Sequence, residues 1–346
     1  MKTIPRLRFA HLPTPIESLP RLSAVLGGPT LVAKRDDQTG LAMGGNKTRK
    51  LEFILAEAQA NGARTLVTAG AVQSNHCRQT AAAAARYGFQ CILVLYDTGG
   101  AVPAQRQSGA PAASQVTAGE KVSPTQSLSG NLLLDHLFGA QIVWAQREER
   151  DRILQDTVQA AWEAGKRPYL IPYGGSNPTG AAGYAFALKE LLEQDVHPDW
   201  IVFASSSGGT QAGLVLGARM FGFKGKIIGI SVDEESRVLQ ERVAALASMT
   251  ADFLAEHLTF APDDVLVNAD YLGGGYGVLG EVEKEAIELF ARSEGLLLDP
   301  VYTARAAAGL ADLIRRGFFS NHETVLFWHT GGTPALFAAR YQTALV

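Results

Sequence analysis

Strand-like and helix-like hydrophobic patterns alternate along nearly the whole chain, and this constrains the fold more than any single motif does. Short apolar runs followed by segments of helical period build parallel sheets covered by helices. The strand pattern occurs at Arg64 to Ala69, Cys91 to Leu95, Gln141 to Trp144, Tyr169 to Ile171, Trp200 to Ala204, Lys226 to Val232 and Thr324 to Trp328. The helical pattern occurs at His76 to Tyr87, Glu148 to Ala164, Ala181 to Glu193, Thr210 to Met220, Glu281 to Ser293 and Ala304 to Arg316. A short helix is expected from Pro334. At 346 residues the chain is long enough for two such α/β units.

A net charge of −3 and a pI near 6.2 give no reason to expect nucleic acid or an anionic membrane as partner. Two cysteines, Cys77 and Cys91, cannot make a disulfide framework. Met1 to Phe9 carries no continuous apolar segment, and no run of about 18 apolar residues occurs anywhere. These features point to a reducing cytoplasm. The 36 glycines exceed the usual share and sit in turns after apolar runs, where site loops are expected. Gly99 to Ser129, rich in Gly, Pro, Ser, Thr, Gln and Ala, reads as a surface excursion rather than a linker between folded units.

Four loops carry the chemistry. In the first, Gly44-Gly45-Asn46-Lys47 opens a helix whose Leu51, Ile54, Leu55 and Ala58 share a face. The glycines permit a tight turn, and Asn46 is expected as the N-cap. Lys47 can leave the first turn and enter a cleft, where burial lowers its pKa toward that of a usable amine. Such an amine forms a Schiff base with an aldehyde cofactor. Most first-turn lysines are merely solvated, so context must decide.

The second loop, Gly70 to His76, joins a strand to a helix N-terminus, where backbone N–H groups and the helix dipole suit a carboxylate. Ser74 and Asn75 add hydrogen bonds there, or one of them simply caps the helix. His76 and Cys77 are chain neighbours at a helix start and point apart, which disfavours a thiol–imidazole pair. The third loop, Ser205 to Gly213, follows a strand and opens a helix, a place for a phosphate. A dinucleotide site competes, with Asp233 as a ribose ligand, but it requires Gly-x-Gly-x-x-Gly. Here Gly208, Thr210 and Gly213 occupy those places, so a single phosphate fits better. In the fourth loop, His329 to Pro334, Thr330 follows a strand end, where a hydroxyl could meet a pyridine nitrogen. Gly331 and Gly332 could equally be a turn before Pro334. A Schiff-base lysine, a carboxylate loop, a single-phosphate loop and a hydroxyl at a strand end together form the apparatus of pyridoxal phosphate chemistry.

With those loops in view, the chain resembles the fold type II, tryptophan synthase β-like pyridoxal-phosphate enzymes. More narrowly, it resembles the 1-aminocyclopropane-1-carboxylate deaminase and D-cysteine desulfhydrase family. The likeness rests on GGNKTRKLEF (Gly44 to Phe53), AGAVQSNHCRQTAA (Ala69 to Ala82), IPYGGSN (Ile171 to Asn177), SSSGGTQAG (Ser205 to Gly213), EGLLLDPVYT (Glu294 to Thr303) and HTGGTPALF (His329 to Phe337). Shorter matches are Thr14-Pro15, Lys34 to Asp37 and Tyr276 to Val278, and the likeness covers nearly the whole chain.

The resemblance implies that Lys47 is the cofactor lysine and Ser74 the catalytic serine, flanked by Gln73. It places Asn75 against the cofactor's 3′ oxygen, makes Ser207, Gly208, Gly209 and Thr210 the phosphate loop, and sets Thr330 beside the ring. Tyr276 and Tyr302 match two catalytic tyrosines. Gln73, Ser74, Asn75, His76, Tyr276 and Tyr302 are expected to face a small amino-acid substrate. No metal is expected. A homodimer is implied, with a large cofactor-binding domain at 1–46 plus 163–346, a small α/β domain at 47–162 and the cofactor between them.

Ring-opening deaminases of this family resemble one another in carrying Glu after the second tyrosine and Leu after the last-loop histidine. This chain has Thr303 and Thr330 there, as the desulfhydrases do. The expected activity is therefore β-elimination from D-cysteine, with L-cysteate sulfo-lyase and ring-opening deaminase as alternatives. A non-catalytic nucleotide-binding protein is the alternative from another class. After Thr303 the chain reads Ala304-Arg305-Ala306-Ala307, where relatives more often carry Gly-Lys-Ala-Met.

Overall fold

The computed structural model describes residues 2–97 and 128–345, so nearly all of the Gly99 to Ser129 excursion lies outside the described residues. The first strands are β1 (Ile16–Ser18), β2 (Thr30–Arg35), β3 (Thr65–Ala71), β4 (Gln90–Tyr96) and β5 (Gln141–Ala145). Next come β6 (Pro168–Leu170), β7 (Trp200–Ser205), β8 (Lys226–Ser231), β9 (Leu266–Asn268) and β10 (Thr324–His329). The helices begin with α1 (Pro20–Leu26), α2 (Asn46–Ala60), α3 (Asn75–Tyr87), α4 (Gly130–Leu137), α5 (Arg150–Glu163) and α6 (Pro178–Glu193). They end with α7 (Gly209–Phe221), α8 (Ser236–Phe253), α9 (Glu281–Glu294), α10 (Thr303–Arg315) and α11 (Ala339–Leu345).

The strands form two sheets. One has the order β1-β2-β10-β7-β8-β9 and is parallel except for β1; the other, β5-β4-β3-β6, is parallel throughout. Residues Cys91 to Tyr96 of β4 and all of β7 are buried, as strands covered on both faces must be. Each buried Leu, Ile or Val there contributes about 1.5–3 kcal/mol. The second sheet takes β6 from beyond residue 162, so it is not contained within 47–162.

Local chemistry explains several helix ends. Ser74 caps α3 by accepting from Cys77 N at 3.2 Å, and Gly88 ends it in the left-handed region. Asn177 caps α6, with Pro178 in its first turn. Asn46 departs from expectation: it is the first residue of α2, Gly45 is the cap, and the first-turn N–H of Thr48 is satisfied from α3, by Gln79 Oε1 at 2.8 Å. A buried ion network also holds α2. The Arg49 guanidinium grips Asp36 with Nε and Nη2, both at 2.8 Å, and reaches Glu190 at 2.9 Å. Lys34 also pairs with Glu190, at 2.7 Å, which gives the conspicuous Lys34-Arg35-Asp36-Asp37 run a structural use.

Candidate active site

The four loops meet at the carboxyl ends of the parallel strands. Lys47, Ser74, Asn75, His76, Ser207, Gly208, Thr210, Tyr302 and Thr330 all line one cleft. Asn46 joins three of the loops. Its backbone N–H donates to the Thr330 carbonyl at 3.0 Å, and its side-chain Nδ2 donates to Thr210 Oγ1 at 3.0 Å. The turn before it is tight: Gly44 has φ +68°, and a Cβ there would fall 1.9 Å from the Asp37 carbonyl oxygen.

Lys47 Nζ donates to Asn46 Oδ1 at 3.2 Å. Part of the side chain faces the cleft, yet the surrounding protein shields the amine, and burial lowers its pKa to about 8. The Asp299 carboxylate opposes that fall and the Arg78 guanidinium adds to it. A lysine so placed is a competent nucleophile and base near neutrality.

His76 Nε2 lies 3.0 Å from Thr68 Oγ1, and Thr68 already donates its proton to the Ile171 carbonyl at 2.8 Å. Thr68 must therefore accept from His76, which assigns the Nε2–H tautomer and leaves Nδ1, buried and unpartnered, as an acceptor. Burial, then Lys47 and Lys50, drive the imidazole pKa well below its usual value, so the ring is neutral. Cys77 is buried, and its thiol is pushed well up by burial, which leaves no thiolate beside His76.

Tyr302 reaches the cleft, and its hydroxyl meets that of Tyr276 at 2.5 Å. Tyr276 stands behind Tyr302 rather than in the lining. Gln73 also falls outside the lining: its amide accepts from Asn131 N at 2.8 Å and donates to the Ser129 carbonyl at 3.1 Å. The geometry therefore gives Gln73 a loop-holding contact rather than the expected substrate contact.

Several site residues escaped the sequence reading. Lys50, one turn after Lys47, is buried; its Nζ donates to the Gly174 carbonyl at 3.2 Å and to Ser176 Oγ at 3.4 Å. Its i, i+3 spacing from Lys47 was the available signal. Tyr173 and Gly174 line the cleft from the IPYGGSN segment, and Ser206 lines it from the third loop. Asp299 is buried and accepts from the backbone N–H groups of Val301, Tyr302 and Thr303 and from the Thr303 hydroxyl. Thr303 is thereby tied to Asp299 and does not line the cleft. Of the two threonines expected to mark the reaction, Thr330 alone is in the lining.

Pyridoxal phosphate fits these residues. The first turn of α7 offers backbone N–H groups without intrahelical acceptors. A Cβ on Gly209 would lie 2.8 Å from Lys50 Nζ, which locates that amine beside the first turn of α7. No carboxylate is among its hydrogen-bond partners. Burial disfavours the charge of this amine, and an anion such as a phosphate would restore it. A ribose ligand is not on offer, since Asp233 accepts from Ser206 Oγ at 2.9 Å and Thr210 holds the place of the middle glycine.

Two α/β sheets, a cleft lysine and a phosphate loop define a fold type II pyridoxal-phosphate enzyme. The chain belongs to the pyridoxal-phosphate dependent enzyme family, whose model matches residues 7–331. It is similar to an ACC deaminase homologue of known structure, at 34% identity and TM-score 0.83, over 99% of this chain and 95% of that one. A threonine deaminase from T.th. shares the fold at 18% identity and TM-score 0.61, over 92% of both chains. The processed form of threonine deaminase isoform 2 from Solanum lycopersicum does so at 15% and 0.59, over 92% of this chain and 79% of that one.

Proposed function

We propose that the enzyme eliminates sulfide from D-cysteine, converting D-cysteine and water to pyruvate, ammonia and hydrogen sulfide. One observation carries this reading. Among the described residues lining the cleft there is no carboxylate and no guanidinium, and Lys47 is the one formal charge. Without a carboxylate beside the ring, nothing in that lining holds the pyridine nitrogen protonated, which suits elimination of a good leaving group over opening of a carbon ring. Without a guanidinium, nothing in it recognises the sulfonate of L-cysteate.

Pyridoxal phosphate, when bound, supplies the electron sink for the pair released at Cα. The phosphate loop from Ser207 to Thr210, with Lys50 beside it, would hold the phosphate, and Lys47 would hold the aldehyde end. Ser74, Asn75 and the N-terminal N–H groups of α3 would seat the substrate carboxylate. Lys47, with its pKa near 8, is the group suited to take the Cα proton. Among the described residues His76 is not a base for Ser74: its Nε2 is turned to Thr68 and its Nδ1 has no partner. Burial raises the Tyr276 and Tyr302 phenols well above their usual range, so both stay protonated and Tyr302 can donate a hydrogen bond to the departing thiolate.

A second reading, ring-opening deamination of 1-aminocyclopropane-1-carboxylate, is supported by the 34% identity to an ACC deaminase homologue. Release of 2-oxoacid from D-cysteine, L-cysteine, L-cysteate and 1-aminocyclopropane-1-carboxylate, compared on cofactor-saturated protein, separates the readings. Pyruvate with sulfide from D-cysteine is the expected result. Activity on the cyclopropane amino acid alone, giving 2-oxobutanoate, would overturn it. We further propose a homodimeric, cytoplasmic enzyme of two α/β domains, the small one running from residue 47 through β6 and the large one built from 1–46 and the rest of the chain.

A further inference from the structure

Asn75 lines the cleft, and its side-chain amide is held from one side only. Its Oδ1 accepts from Arg78 Nη1 at 3.0 Å and from Asn131 Nδ2 at 2.9 Å. Two donors on one oxygen settle which end of the amide is which. The Nδ2 group faces the last loop, where a Cβ on Gly332 would come within 2.7 Å of it.

The holders are themselves fixed. Asn131, fully buried at the start of α4, accepts from Arg78 Nη1 at 2.7 Å through Oδ1 and donates from Nδ2 to the Gln73 carbonyl at 2.8 Å. Arg78, also fully buried, donates from Nη2 to the Gly44 carbonyl at 2.7 Å, in the turn that delivers Lys47. One guanidinium thus spans the lysine loop, the carboxylate loop and α4.

We infer that Arg78 and Asn131 are positioning residues that clamp the Asn75 amide oxygen, making Asn75 an obligate hydrogen-bond donor to the bound cofactor's ring oxygen. A freely rotating asparagine could present its carbonyl to an anionic ring oxygen and repel it. The clamp removes that alternative. It rests on pyridoxal phosphate being the cofactor and is independent of which amino acid is consumed.

The test measures cofactor binding by absorbance titration of cofactor-free protein, with no turnover involved, alongside thermal melts to verify folding. Asn131→Ala should weaken binding about tenfold, since one of two holders of Asn75 is lost. It should also raise the pH midpoint of the bound cofactor's absorbance change, because a ring oxygen without its donor is more basic. Lys47 interacts electrostatically with Lys50, His76, Arg78 and Asp299, and Arg78 with Asp135; all of these are retained in this variant. Asn75→Asp should bind more weakly than Asn75→Ala, because the clamp would leave a carboxylate oxygen facing the cofactor. Wild-type binding and an unmoved midpoint in Asn131→Ala would overturn the clamp. If Asn131→Ala fails to fold, the Asn75 pair decides: binding by Asn75→Asp as tight as by Asn75→Ala, or tighter, would overturn the obligate donor.

Discussion

The hydroxyls of Tyr276 and Tyr302 meet at 2.5 Å, with their rings edge to face and centroids 5.8 Å apart. One phenol reaches the cleft and the other stands behind it, so the pair acts as a unit. Tyr302→Phe and Tyr276→Phe are each expected to lower kcat about 10²-fold. The double variant should be little worse than the weaker single one, because each change already breaks the shared bond. Steady-state kinetics on cofactor-saturated protein measure this, and multiplicative losses would mean that the phenols act separately.

Lys47 makes the cofactor-free protein gain stability with rising pH. Its folded pKa, about 8, lies below the 10.5 of an ordinary lysine, so between those values the unfolded chain binds more protons. Stability therefore rises across that window, by at most about 3 kcal/mol and less because the side chain is part-exposed. Urea unfolding at pH 8 and pH 10 should give a smaller pH gain in Lys47→Met than in wild type. Equal gains would place the depressed pKa elsewhere.

Lys50 is expected to matter for the cofactor and not for the fold. Burial, then repulsion from Lys47, depresses its pKa well below 10.5, and a phosphate dianion would restore its charge. Lys50→Met should weaken cofactor binding about 10- to 100-fold in equilibrium dialysis. The melting temperature of the cofactor-free protein should stay level or rise, because an uncompensated buried amine is removed. A large fall in that temperature would make Lys50 a structural residue.

Arg305 braces the Tyr276 loop. Its guanidinium pairs with Glu283 at 2.8 Å and donates to the carbonyls of Val232, Gly275 and Val278 at 2.7, 3.1 and 3.1 Å. Arg305→Lys replaces a planar fork by a point charge that cannot reach all four. A loss of about 1–3 kcal/mol in stability is expected, with kcat falling more than KM changes. Unchanged kinetics would disconnect this departure from Tyr276 and Tyr302.

Much of this architecture was legible along the chain. The strands β3, β4, β7, β8 and β10 lie within two residues of their sequence-based bounds, because buried parallel strands read as continuous apolar runs. The helix α8 went unread, although Leu239, Val243, Leu246, Ala247 and Ala251 of its buried side keep helical spacing. The strand β2 was missed because the charges of Lys34 and Arg35 mask it; Glu190, Thr14 and Gln194 satisfy the first and Asp37 and Glu17 the second.

By itself the sequence determined the local elements, the place of Lys47 at a helix start and the glycine loops, all of which depend on residues within a few positions of one another. Tertiary structure decided the uses to which side chains are put. Asn46 links loops instead of capping a helix, Thr303 turns to Asp299 instead of the cleft, and Gln73 holds Asn131 and Ser129 instead of facing substrate. Buried polar groups must find partners, and many of those partners lie tens to more than a hundred residues away, brought near only by the packing of two sheets.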